Sequence, residues 1–133
     1  MRSNPPGRSG ARHAPRGSGL PEHPWKTGRP AALETAKGEV VTGCNIENAT
    51  YGLTMCAERV ALYKALSDGR DIFTRIAVVA DTDDPTPPCG SCRQLLWEYC
   101  GDIDVILSNL SDVKKRLRLS QLLPLPFDAR LLE

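Results

Sequence analysis

Two short stretches of this chain carry residue types that bind metal ions. One is Cys56-Ala57-Glu58; the other is Pro88-Cys89-Gly90-Ser91-Cys92, some thirty residues downstream. A C-x-x-C alone fits a zinc knuckle, a redox pair or chance. Here both stretches fall where helices are expected to begin. A helix N-terminus favours the thiolate through its dipole and free N–H groups. Three thiolates leave one position open, the pattern of catalytic rather than structural zinc. Both histidines, His13 and His23, stand far upstream. A fourth protein ligand would therefore be Cys44, Cys100 or a carboxylate. Cys100 ends the helix that Cys92 begins, about 12 Å away at the α-helical rise; Cys44 is harder to exclude. Glu58 follows Cys56 by two residues. Both can reach one cleft, with the carboxylate free to move a proton from a metal-activated water. The competing arrangement is a four-cysteine structural site with a solvated Glu58. A redox pair would leave Cys56 and Glu58 unexplained.

The elements that must position these residues lie in one part of the chain. The 133 residues suit one domain, 41% of them are apolar, and the formal net charge is +1. Residues 1–30 hold 6 of the 11 prolines, 5 of the 11 glycines and six Lys+Arg against Glu22 alone. Such a segment buries too little apolar surface to offset chain entropy, so it reads as a disordered basic tail. Residues 31–133 form the folded domain and carry a net charge of −4. Near-neutrality overall gives no signal for nucleic acid. No apolar run approaches the roughly 18 residues of a membrane span. Nothing resembles a secretory leader, so a cytoplasmic location is expected, where cysteines serve metal or thiol chemistry. Ala31–Ala36 and Glu39–Cys44 predict a hairpin around Lys37-Gly38. Thr54–Asp68 predicts a helix with Val60, Leu62, Tyr63 and Leu66 on its apolar face, stopped by Gly69. The run Ile76-Ala77-Val78-Val79-Ala80 predicts a strand buried on both faces. Asp81–Pro88 is a loop. Pro88–Cys100 predicts a helix burying Leu95, Leu96 and Tyr99, followed by a strand over Ile103–Ser108 and a short one near Arg116–Leu119. The order implies an α/β fold, a mixed sheet of about five strands flanked by helices.

The residues from Gly43 to Arg59 (GCNIENATYGLTMCAER) resemble the active-site half of the small homotetrameric cytidine deaminases. Pro88-Cys89-Gly90-Ser91-Cys92-Arg93-Gln94 resembles their second zinc motif, and Leu122-Leu123-Pro124 with Phe127 resembles their C-terminal segment. The likeness covers about residues 31–128. It implies an α-β-α sandwich, one Zn²⁺ per subunit and a homotetramer. The implied reaction is hydrolytic deamination of cytidine and 2′-deoxycytidine to the uridines, with release of ammonia, in pyrimidine salvage. By this resemblance Cys56, Cys89 and Cys92 hold zinc, and Glu58 protonates N3 and carries a proton to the leaving amine. The zinc deaminases as a class share this ligand-x-Glu and Pro-Cys-x-x-Cys arrangement. Asn45 and Glu47 match ribose-binding positions, and Ala57 matches a substrate contact. Tyr51 and Phe127 match aromatics that reach a neighbouring subunit's site, although either could be ordinary core. Arg59 matches an arginine beside the sulfurs. Three thiolates and one Zn²⁺ sum to −1, and a guanidinium there withdraws charge and restores acidity to the metal's water.

Residues 1–30 depart from this pattern. Family members begin with a helix and an aromatic-rich stretch, of which Ala31-Ala32-Leu33 fits only the end. The phenylalanine that would stack on the base has no counterpart, and Trp25 is too displaced to replace it. Other readings on the same fold are a deaminase of a modified or antibiotic nucleoside such as blasticidin S, and a non-catalytic zinc-stabilised domain. The Asn45, Glu47 and Tyr51-Gly52-Leu53 stretch favours cytidine. An acidic folded region offers no basic channel for polynucleotide editing.

Overall fold

The computed structural model describes residues 30–132. Expectations for residues 1–29, the basic tail and Trp25 among them, lie outside the described residues. The expected hairpin consists of β1 (Ala31–Thr35) and β2 (Val40–Gly43), paired antiparallel. Gly38 in its turn has a φ of 84°, a value that glycine adopts without a steric penalty. A 3-10 turn at Tyr51–Leu53 leads to α1 (Ala57–Ser67). Then follow β3 (Phe73–Val79), α2 (Gly90–Cys100), β4 (Asp104–Ser108), β5 (Val113–Arg118) and the short α3 (Leu119–Leu122). A last 3-10 turn spans Ala129–Leu132.

The five strands make one mixed sheet in the order β2-β1-β3-β4-β5. Only β3 and β4 run parallel, and α2 supplies the crossover between them. Leu33 pairs with Val41 and Ile76, and Ile76 with Val105, so their side chains share one face. That face is buried against Ala61, Leu62, Leu96 and Leu119 from the three helices. Among the described residues the helical layer lies on this face. The opposite face carries Glu34, Arg75, Asp104 and Arg118 in one row across β1, β3, β4 and β5. Neighbours in the row pair by charge: Arg75 Nε lies 2.8 Å from Glu34, and Arg118 Nη1 lies 2.8 Å from Asp104. Ala77 and Val79 share the second face and are only half-buried. The strand therefore alternates instead of being sealed on both sides as its apolar run predicts. No described helix is long and apolar enough to cross a membrane.

The first helix starts three residues later than its composition suggests. Ile46 and Met55 exchange backbone hydrogen bonds of 2.8 and 2.9 Å in an isolated antiparallel bridge. Residues 54–56 are thereby held extended and cannot join the helix. The buried face of α1 also differs from expectation. Leu62 is buried, but Tyr63 is exposed, and Val60 and Leu66 are half-buried. Most of the face belongs to Ala57, Ala61 and Ala65. In α2, Leu96 is buried as expected, whereas Leu95 is half-buried and Tyr99 exposed.

These alanines serve a close approach. A Cβ built on Gly43, at the end of β2, would sit 2.5 Å from the Ala61 nitrogen and 2.6 Å from the Ala57 carbonyl oxygen. Both are backbone atoms, which cannot swing aside as a flexible side chain can. Glycine on the strand and alanines on the helix bring α1 down onto the hairpin. Gly43→Ala should therefore destabilise the fold by about 2–3 kcal/mol, the cost of forcing backbone apart in a packed core. Urea denaturation of the two proteins would measure it, and an unchanged midpoint would contradict the close contact.

Candidate metal centre

Cys56 is the N-cap of α1 and Cys89 the N-cap of α2, each with extended backbone. Both thiols therefore stand at the positive end of a helix dipole. Cys92 lies one turn into α2, where its N–H donates to Cys89 Sγ at 3.4 Å. Cys56 Sγ is 3.9 Å from Cys89 Sγ, and Cys89 Sγ is 3.3 Å from Cys92 Sγ. The three sulfurs lie within 4.8 Å of one another and form the one such group among the described residues. Sulfurs bound tetrahedrally at 2.3 Å from zinc stand about 3.8 Å apart. The donor set and its spacing thus fit zinc, with one coordination position left over.

Cys44 and Cys100 stand outside the group. Burial pushes the Cys44 thiol up and the Cys100 thiol up to about 12. Because neither sulfur lies with the other three, both are bystanders in the packing, and the described residues form a three-cysteine group, not a four-cysteine one. Within the group the thiols differ. Burial, then the charge of Glu58, pushes Cys92 well above the ordinary thiol value. Burial opposes ionisation of Cys89 as well, yet the N–H of Cys92 and the neighbouring sulfurs bring its value below the ordinary one.

Glu58 is 4% exposed, and its Oε2 lies 3.6 Å from Cys92 Sγ. The helix start makes Glu58 the second residue of α1, in its first turn after the Cys56 cap and alongside the sulfurs. Arg59 Nη2 donates to Cys56 Sγ at 3.5 Å. That bond, with further help from the charges of Cys56 and Cys92, holds the guanidinium above its ordinary value. The bridge between Ile46 and Met55 brings the flanking residues Asn45 and Glu47 beside the extended segment that leads to Cys56. Asn45 Nδ2 donates to Glu47 Oε1 at 2.7 Å, so the two side chains face the same side. The Ala57 side chain is buried in the core. As the first helical residue its N–H has no partner within the helix. Tyr51 and Phe127 are 68% and 59% exposed; neither is ordinary core.

Arg93 is a contact the sequence did not point out. Its Nε donates to the Pro88 carbonyl at 2.8 Å and its Nη1 to the Leu122 carbonyl at 3.0 Å. The side chain thus ties the residue before Cys89 to the end of α3. Its position within the second cysteine motif was the available signal, but its partners are backbone atoms that no motif spells out.

Residues 28–108 match the sequence family described as the cytidine and deoxycytidylate deaminase zinc-binding region. A cytidine deaminase from Halalkalibacterium halodurans is 54% identical over 100 residues, which cover 74% of this chain and 76% of that protein. The crystal structure of a cytidine deaminase from Burkholderia pseudomallei superposes with a TM-score of 0.72 at 44% identity, covering 77% of this chain and 84% of that one. A blasticidin-S deaminase from Bacillus cereus is more distant, at 31% over 105 residues, or 73% of this chain and 74% of that protein. A three-cysteine centre spaced for zinc, a buried glutamate beside it, and a five-stranded mixed sheet shared with solved relatives lead to one assignment: the chain belongs to the cytidine and deoxycytidylate deaminase family of zinc enzymes.

Proposed function

We propose that this protein is a zinc-dependent cytidine deaminase. It converts cytidine and 2′-deoxycytidine to uridine and 2′-deoxyuridine with release of ammonia, as a cytoplasmic step of pyrimidine salvage. The observation that carries this reading is the buried Glu58 carboxylate set 3.6 Å from one of three clustered thiols. Cys56, Cys89 and Cys92 hold the metal. Bound zinc supplies a Lewis acid that makes water nucleophilic near neutral pH.

The remaining work falls to side chains of this chain. Glu58 accepts a proton from the attacking water and delivers it to N3 of the pyrimidine, then takes the remaining proton of the hydroxyl added at C4 and passes it to the amine as the C–N bond breaks. Burial among sulfurs keeps bulk water from competing for that proton. Arg59 withdraws electron density from Cys56, which offsets the surplus negative charge of three thiolates on a divalent ion. Asn45 and Glu47, already joined to each other, bind the ribose hydroxyls. The N–H of Ala57, which has no acceptor within the helix, donates to the base. Tyr51 and Phe127 carry exposed rings, which suits a homotetramer in which aromatics reach a neighbour's site. The Asn45–Glu47 pair favours a ribose-bearing nucleoside over blasticidin S.

Loss of cytidine absorbance with formation of uridine, followed on the purified zinc-loaded protein, tests the reading directly. A protein that binds zinc but forms no uridine would be a non-catalytic zinc domain instead. Glu58→Gln should lower kcat at least about 100-fold while retaining one zinc per chain, because it removes the proton carrier but no ligand. Full activity in that variant would rule out the proton role. Cys89→Ser should lose stoichiometric zinc in metal analysis. Chelation of the wild-type protein should lower its thermal midpoint, since a ligand held at about 1,000 times its Kd stabilises by about 4 kcal/mol. An unchanged midpoint after complete zinc removal would contradict the proposed ligands.

A further inference from the structure

The helix that carries Cys89 and Cys92 also grips the C-terminal segment. Gln94 Nε2 donates to the carbonyl of Phe127. Trp97 Nε1, one turn further along α2, donates to Asp128 Oδ2 at 3.0 Å. Asp128 is 9% exposed, although it lies between the exposed Phe127 and Ala129. It opens the last 3-10 turn: its Oδ1 accepts the backbone N–H of Arg130 at 3.0 Å and its carbonyl accepts that of Leu131 at 3.0 Å. The Arg130 guanidinium closes on the same carboxylate, with Nη2 2.6 Å from Oδ2. The carboxylate thus ties this turn to α2 and to its own following residues at once. Phe127 stands immediately before this anchor. Its carbonyl is held by Gln94 and the residue after it by Trp97, while its ring remains open.

We propose that Asp128 is a positioning residue, which sets the direction of the Phe127 ring through its bonds to Trp97 and Arg130. This rests on the reading of Phe127 as a ring that meets the substrate. A ring held in one direction by its neighbour needs no ordering when the nucleoside binds. Loss of the anchor frees the segment to swing, leaving the metal, Glu58 and the chemical step untouched. The effect should therefore fall on substrate binding.

Steady-state kinetics with cytidine on the zinc-loaded full chain test this. Asp128→Ala should raise KM about tenfold with kcat within about twofold of wild type. Zinc content should stay at one per chain. Asp128→Asn keeps one oxygen for the Trp97 N–H but turns an amide NH2 toward the Arg130 N–H that the other oxygen accepted, so its KM should fall between those of wild type and Asp128→Ala. Phe127→Ala should raise KM by itself, and adding Asp128→Ala to it should change nothing further, because the anchor acts through the ring. Where Asp128→Ala fails to fold, Trp97→Phe removes only the indole N–H donor and should raise KM in the same way. Unchanged KM in the folded anchor variant overturns the inference, as does an increase that adds to that of Phe127→Ala. If Phe127→Ala itself leaves KM unchanged, the substrate-facing reading of Phe127 falls and the anchor inference falls with it. A rise for Phe127→Ala without one for Asp128→Ala removes the anchor alone.

Discussion

Everything in this protein depends on two helix N-termini meeting. The Cys56 cap of α1 and the Cys89 cap of α2 bring their sulfurs to 3.9 Å although the two helices flank different strands. Each helix must therefore be set on the sheet to within a fraction of an ångström. For α1 the setting comes from Gly43, whose missing side chain lets Ala57 and Ala61 rest on the strand. For α2 it comes from the parallel β3–β4 pair that the crossover joins and from Leu96 in the common core. Arg93 then ties the residue ahead of Cys89 to the chain beyond β5. The small residues carry no chemistry, yet the chemistry has no geometry without them.

The same convergence creates an electrostatic problem. Three thiol groups and a carboxylate crowd together, with Cys92 and Glu58 buried, and among the described residues the guanidinium of Arg59 is the cation that touches them. Full ionisation without a metal would be prohibitively costly at such separations. The upward push on Cys92 is the expected response, since that thiol lies deepest and nearest the Glu58 carboxylate. A divalent cation resolves the conflict by supplying two positive charges where the sulfurs point. Family membership and local charge balance therefore lead independently to zinc.

Legibility in the sequence followed the range of the interactions. The three cysteines were readable because thiol chemistry and two short local spacings announce them. The hairpin was readable from Lys37-Gly38, and β3 and β4 from their apolar runs. Cys100 is set aside by the helical rise alone, but spacing does not decide whether Cys44 joins the trio, because that depends on a through-space distance. The start of α1 lies later than composition predicts for a related reason: the bridge from Met55 reaches back to Ile46 and removes residues 54–56 from the helix. Its alanine face escaped notice because periodicity arguments look for large apolar side chains, and a close approach needs small ones. Asp128 left no mark at all, since its partner Trp97 is on another element and an isolated aspartate near a chain end looks like any solvated one.

The row Glu34–Arg75–Asp104–Arg118 has a consequence for how the sheet assembles. Each exposed ion pair contributes little by itself. Read across four strands, however, the signs alternate, so the row works as an alignment mark. Sliding β3 by two residues along β1 would keep every side chain on its proper face and the apolar layer nearly intact. It would also put Ala77 opposite Glu34 and strand both charges of the pair. The hydrophobic core is nearly blind to such an even-numbered slip. The charged row distinguishes it, and it does so on the face that the active centre does not use.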